Sequence, residues 1–177
     1  MHSYVALLRA VNVGGASRAP SAALKAAAEG IWLQDVQVIL QTGNLVFRAP
    51  DQPKALEARL EQAFTAAVGL KTEVMVRSAA QWAAVIADNP FPGEAKTDPG
   101  HLLVVALKGV PKPEGVEALK ACPGPEVIEA RGRELYIVYP YGIGRSKLNG
   151  HSGWKKLGCA GTGRNWNTVL KLADRLG

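Results

Sequence analysis

A chain of 177 residues, 47% hydrophobic and 20% charged, is long enough to bury about 70% of its unfolded surface and too apolar to be a disordered polyelectrolyte. Its longest aliphatic run, residues 102–107, falls far short of the ~20 residues of a membrane-spanning helix, and Arg9 interrupts the apolar N-terminal stretch where a signal peptide would need continuity. Two widely spaced cysteines, Cys122 and Cys159, suggest reduced thiols in a cytoplasmic protein.

Residues 4–11 form an apolar run bounded by Gly14 and Gly15, which predicts a central strand covered on both faces. Pro20 opens and Gly30 closes an alanine-rich helix over residues 20–29. Short β-rich runs at 36–40 and 45–47 flank Gln41-Thr42-Gly43-Asn44, a hairpin signal. Leu56, Leu60, Ala63, Phe64 and Ala67 mark a second helix ended by Gly69, and residues 72–77 read as a fourth strand. The order βαββαβ is the split pattern of ferredoxin-like domains. Ser78 then caps a helix through Trp82 and Ile86 that stops before Asn89-Pro90.

The Pro/Gly-rich residues 90–100 predict a linker between a first subdomain, 1–89, and a second, 101–177. Beyond it the order restarts with a strand at 101–107, a helix at 113–121, strands at 127–130 and 134–139, and a polar helix near 146–157. No apolar run supplies a fourth strand here. A glycine-flanked turn leads instead into a terminal helix, where Trp166, Val169, Leu170 and Ala173 fall at i, i+3, i+4 and i+7 and build one apolar stripe. Asn165 is placed to cap this helix, and Gly161 and Gly163 to let the backbone enter at unusual angles. The duplicated order predicts an α+β fold, a tandem pair of ferredoxin-like subdomains.

The net charge of +6 has a location. Residues 1–99 carry nine Lys/Arg and nine Asp/Glu, and residues 100–134 carry five of each. In residues 135–177, Arg145, Lys147, Lys155, Lys156, Arg164, Lys171 and Arg175 face only Asp174, interleaved with Tyr136, Tyr139, Tyr141, Trp154 and Trp166. Gathered on one surface, these side chains would meet phosphates electrostatically and bases by stacking. Scattered over several faces, they would serve solubility alone.

Three stretches are candidate ligand sites. Split βαβ topology brings the end of the first strand to the first hairpin, so Arg9, Asn12, Gly14 and Gly15 would meet Gln41, Thr42 and Asn44 in a polar site; the alternative is that the asparagines satisfy turn backbones. The glycine loop around Gly142 and Gly144 offers Arg145 and Lys147 to a phosphate. It is no dinucleotide fingerprint, because Lys147 stands where the third glycine belongs, and it lacks P-loop spacing. Arg164 and Asn165, before the terminal helix, form a third anion site or an ordinary cap. His2, His101 and His151 are dispersed, and no His/Cys/carboxylate group has metal-ligand spacing. Glu57 and Glu61 read as a solvated helix face.

Tyr4-Val-Ala-Leu-Leu-Arg-Ala-Val-Asn-Val-Gly-Gly15, Gln41-Thr-Gly-Asn-Leu-Val-Phe47, Asn89-Pro-Phe91 and Thr162-Gly-Arg-Asn-Trp-Asn-Thr-Val-Leu-Lys-Leu172 resemble the motifs of the domain of unknown function 1697 family, a mainly bacterial family. The resemblance implies two ferredoxin-like subdomains with exchanged C-terminal helices and no particular chemistry or cofactor. Ser21 replaces the family's usual Met, and Thr42 its usual Ser with the hydroxyl kept. The leading expectation is a cytoplasmic binding protein for a nucleotide or nucleic acid, using the basic C-terminal third. The alternatives are a small-molecule enzyme using Asn12, Asn44, Arg164 and Asn165, and an interaction module without a ligand.

Overall fold

A computed structural model describes residues 1–9, 12–13, 17–18, 20–40, 43–69 and 71–177. Two compact units emerge, residues 1–84 with 172–177 and residues 85–171.

The first unit runs β1 (His2–Leu8), β2 (Asn12–Val13), β3 (Ser17–Arg18), α1 (Ser21–Gly30), β4 (Gln34–Ile39), β5 (Asn44–Ala49), α2 (Pro53–Val68), β6 (Val74–Ser78) and most of α3 (Ala79–Ala87). Its four-stranded sheet is antiparallel in the order β4-β5-β1-β6, with β2 and β3 forming a separate small ribbon. The apolar run has the central place its continuity predicts. Tyr4, Ala6 and Leu8 alternate onto one face with Leu45, Phe47, Val74 and Val76, beneath Leu24 of α1 and Leu56, Leu60 and Phe64 of α2. Val5, Leu7, Val46 and Met75, at the intervening positions, are buried as well. Each large side chain so buried stabilises the unit by about 1.5–3 kcal/mol relative to exposure.

Strand β6 lies at the sheet edge, where unpaired N–H groups would invite another strand. Glu57 and Glu61 on α2 close that edge by accepting hydrogen bonds from Val76 N and Val74 N, both 2.9 Å. The solvated face read from the sequence is thereby corrected. Glu57 is buried, because its position on α2 lies against the backbone of the edge strand.

The second unit contains α4 (Pro92–Thr97), a 3-10 turn (Pro99–His101), β7 (Leu102–Leu107), α5 (Pro113–Lys120), β8 (Val127–Arg131), β9 (Glu134–Val138), a second 3-10 turn (Ile143–Arg145), α6 (Gly153–Lys156), β10 (Gly161–Asn165) and most of α7 (Trp166–Leu176). Residues 90–100, expected as a linker, thus hold α4 and the start of a 3-10 turn. The sheet is antiparallel in the order β10-β7-β9-β8. Val105, Leu107, Leu135 and Ile137 face Val116 and Leu119 of α5 and, from the following segments, Leu148 and Leu157.

Three expectations for this unit are corrected. The fourth strand exists, as β10, made of Gly161-Thr162-Gly163-Arg164-Asn165 with no apolar side chain. Gly161 and Gly163 are needed there for space: a Cβ would come within 2.6 Å of Leu107 and 2.8 Å of Leu103. The polar helix shrinks to α6, since Gly150 takes φ 70° and Ser146 Oγ accepts a local bond from Leu148 N at 3.1 Å. On α7 the buried stripe is Trp166, Val169 and Leu172, whereas Leu170 is 41% exposed.

The two units share a detail beyond strand order. Arg77 pairs with Val5 across β6 and β1, and Arg164 pairs with Val104 across β10 and β7. Each arginine is followed by a cap residue and a helix. Ser78 and Gln81 form a reciprocal capping box with bonds of 2.8 and 3.1 Å; Asn165 Oδ1 accepts from Thr168 N at 3.1 Å, as the sequence predicts.

Candidate functional site

Residues 143–157 cross one face of the second unit. The segment begins after Tyr139, whose N–H bonds the His101 carbonyl at 2.8 Å, beside the start of β7. It ends at Leu157, whose carbonyl accepts from Lys112 N at 2.9 Å, and Ala160 O accepts from Lys108 N at 2.9 Å, beside the end of β7. The segment therefore connects the start of β7 with the loop that follows its end.

Its inward residues fix it. Ser146, Leu148, Gly153 and Leu157 are buried. Asn149 Nδ2 donates to Ile143 O at 2.7 Å, Trp154 Nε1 to Leu148 O at 2.7 Å, and Gly153 N to His151 Nδ1 at 3.0 Å. Gly115 of α5 lets the segment lie close, since a Cβ there would stand 2.5 Å from Leu157 N.

Its outward residues are basic. Arg145, Lys147, Lys155 and Lys156 are exposed, and among the described residues none forms an ion pair. Lys112, also exposed, lies over Gly158 and extends the basic end. The segment has no carboxylate of its own. Some cations elsewhere are paired, as in Arg9–Glu73, Lys25–Glu29 and Arg59–Asp51. Cations without a carboxylate partner along one segment produce a positive potential that attracts an anion.

The remaining candidates separate from this site. Arg164 alternates onto the sheet face away from Leu103 and Val105, where its guanidinium donates to Thr162 Oγ1 at 2.7 Å and Gly163 O at 2.8 Å. Burial lowers its pKa to about 10, leaving it cationic at neutral pH. Asn165 is occupied as a cap. Asn44 is buried and donates to Ile39 O at 3.1 Å within its hairpin. Arg9 pairs with Glu73 at 3.0 Å in an open groove of about 790 Å³ that Gln62, Thr65, Lys71 and Thr72 also line. Asn12 is described only through its backbone pairing with Arg18, and Gly14, Gly15, Gln41 and Thr42 lie outside the described residues.

Most of the interleaved aromatics belong to the core. Tyr136, Tyr139 and Trp166 are buried, and Trp154 is half-buried. Burial and then Glu126 push the Tyr139 phenol up to about 12; burial, ahead of nearby charge, raises Tyr136 further, and its hydroxyl donates to Val85 O at 2.5 Å. Tyr141, 79% exposed, is the aromatic of this set that stands free. Sequence reasoning missed Lys112, which only the fold brings to the segment, and Trp32, which is 84% exposed at φ 71° in a position where glycine gives the usual signal.

Among the described residues no group of three or more His, Cys, Asp or Glu could hold a metal, and no helix is long and apolar enough to cross a membrane. The sequence model of the family described as "Protein of unknown function (DUF1697)" matches residues 1–136. A solved structure, that of conserved bacterial protein SP0830 from Streptococcus pneumoniae, is similar over 99% of both chains at 19% identity with a TM-score of 0.78; at that identity the likeness speaks to fold. No curated protein matches the chain.

Proposed function

We propose that this chain, which belongs to the DUF1697 family of proteins of unknown function, binds an elongated phosphate-bearing anion along residues 143–157. The observation that carries the reading is the basic segment itself: Arg145, Lys147, Lys155 and Lys156 are all exposed, and among the described residues none of them forms an ion pair. A long anion engages several of these cations at once, whereas a triphosphate engages fewer. The test is binding of inorganic polyphosphate against tripolyphosphate, followed by fluorescence competition. Arg145→Glu and Lys156→Glu should each weaken the long chain severalfold, with Lys25→Glu on the first unit as the neutral control. Equal affinity for long and short chains would rule the elongated ligand out.

We likewise infer a duplication of two ferredoxin-like modules with exchanged C-terminal helices. Support comes from the common strand order, from the shared arginine, cap and helix at the fourth strands, and from the grouping of residues 172–177 with the first unit. A cytoplasmic location accords with two free cysteines. A second reading, a small polar ligand in the groove beside Arg9, is favoured by that groove's mixed lining; a metabolite that raises the melting temperature of the wild type but not of Arg9→Ala would select it.

A further inference from the structure

Tyr141 gives the basic segment a feature that phosphate recognition does not need. Tyr141 is 79% exposed and Ile143, two residues on, is 49% exposed, so an apolar surface stands at the point where the segment begins. Gly142 takes φ 84°, a left-handed conformation that turns the chain directly after the tyrosine. The same chain buries Tyr136, Tyr139 and Trp166 almost completely, which makes an outward tyrosine between a buried strand and a basic run a distinct arrangement. Arg145 and Lys147 follow within six residues, both exposed.

Resting on the reading of residues 143–157 as a polyanion site, we propose that the partner is a single-stranded nucleic acid, with a base stacked on Tyr141 and the following phosphates on Arg145, Lys147, Lys155 and Lys156. An inorganic polyphosphate has no π-face to offer the ring, and a duplex keeps its bases in the stack. A single strand has both free bases and a regular phosphate backbone, and stacking on an aromatic plate is sequence-tolerant. Charge complementarity selects the backbone, and the exposed ring selects the unpaired base.

The test compares a twelve-residue oligothymidylate, a duplex of matched length and inorganic polyphosphate of similar charge, each at one salt concentration. Tyr141→Ala should weaken the single strand about tenfold while leaving polyphosphate unchanged, and Tyr141→Phe should retain the affinity. The ring is solvent-facing, so melting temperature should not move, which confirms that both variants are folded. Equal losses for oligonucleotide and polyphosphate, no loss for either, or duplex binding as tight as single-strand binding would each overturn the base-stacking assignment. If polyphosphate binds and these signs of stacking are absent, the polyanion reading survives alone; if neither polymer binds, both fall.

Discussion

Glu57 illustrates how one residue carries information that its sequence position conceals. With Glu61 it looks like a solvated pair one turn apart, yet its carboxylate holds the Val76 N–H of an edge strand at 2.9 Å. Removing the acceptor leaves a buried donor unsatisfied, so Glu57→Ala should cost about 1–3 kcal/mol in urea denaturation. Glu57→Gln, which keeps an accepting oxygen, should cost clearly less. Equal costs would mean that packing, and not the edge bond, decides. Tyr139 supplies a pH test. Its folded phenol sits at about 12 against about 10 for the unfolded chain, so the proton is held more tightly in the native state. The resulting stability is complete below pH 10 and lost as pH rises from 10 to 12. Wild type should therefore fall by up to about 2 kcal/mol relative to Tyr139→Phe across that window, read from denaturation curves at successive pH values. Parallel curves would contradict the assignment.

At the scale of elements, glycines are the informative residues, because each can mark either an open turn or a close approach. Gly115 lies inside α5, where alanine usually gains about 1 kcal/mol, but a Cβ there would meet the backbone of Lys156 and Leu157 at 2.5 Å. Gly115→Ala should thus destabilise by about 1–3 kcal/mol, while Gly93→Ala in α4, with nothing within 4 Å, should be neutral or stabilising by up to about 1 kcal/mol. Thermal melts of the pair, with a loss for Gly115→Ala and none for Gly93→Ala, check the packing of the basic segment. The same ambiguity explains what the sequence could show. The first unit was legible because β1 is apolar on both faces and α2 shows helical periodicity between Pro53 and Gly69. Strand β10 was not, because two of its five residues are glycines whose missing side chains make room for Leu103 and Leu107. A linear pattern reports what a residue is, and not what it lies beneath. The cap at Asn165 was readable for the converse reason, since its bond to Thr168 is local.

For the whole molecule, charge is distributed unevenly: residues 85–171 carry twelve Lys/Arg and eight Asp/Glu, and none of those eight carboxylates lies beyond residue 134. The localisation was legible in the sequence, but its arrangement was not. Seven cations of the C-terminal third resolve into an exposed group on residues 143–157, an arginine folded back on β10 and two residues on α7, with Arg175 turned to Gln37 at 3.4 Å. The aromatic count was misleading because inward and outward rings look alike in one dimension; of the five aromatics counted in the C-terminal third, Tyr141 is the exposed one. In the proposed function four exposed cations act together as one anionic-polymer site. The most direct measurement is the salt dependence of oligothymidylate binding for wild type and for a variant with Arg145, Lys147, Lys155 and Lys156 all changed to Gln. Neutralising four phosphates of a single strand predicts a slope of log affinity against log salt near −3, falling towards zero in the variant. A steep slope that the variant retains, or an affinity that salt does not change, would contradict the account.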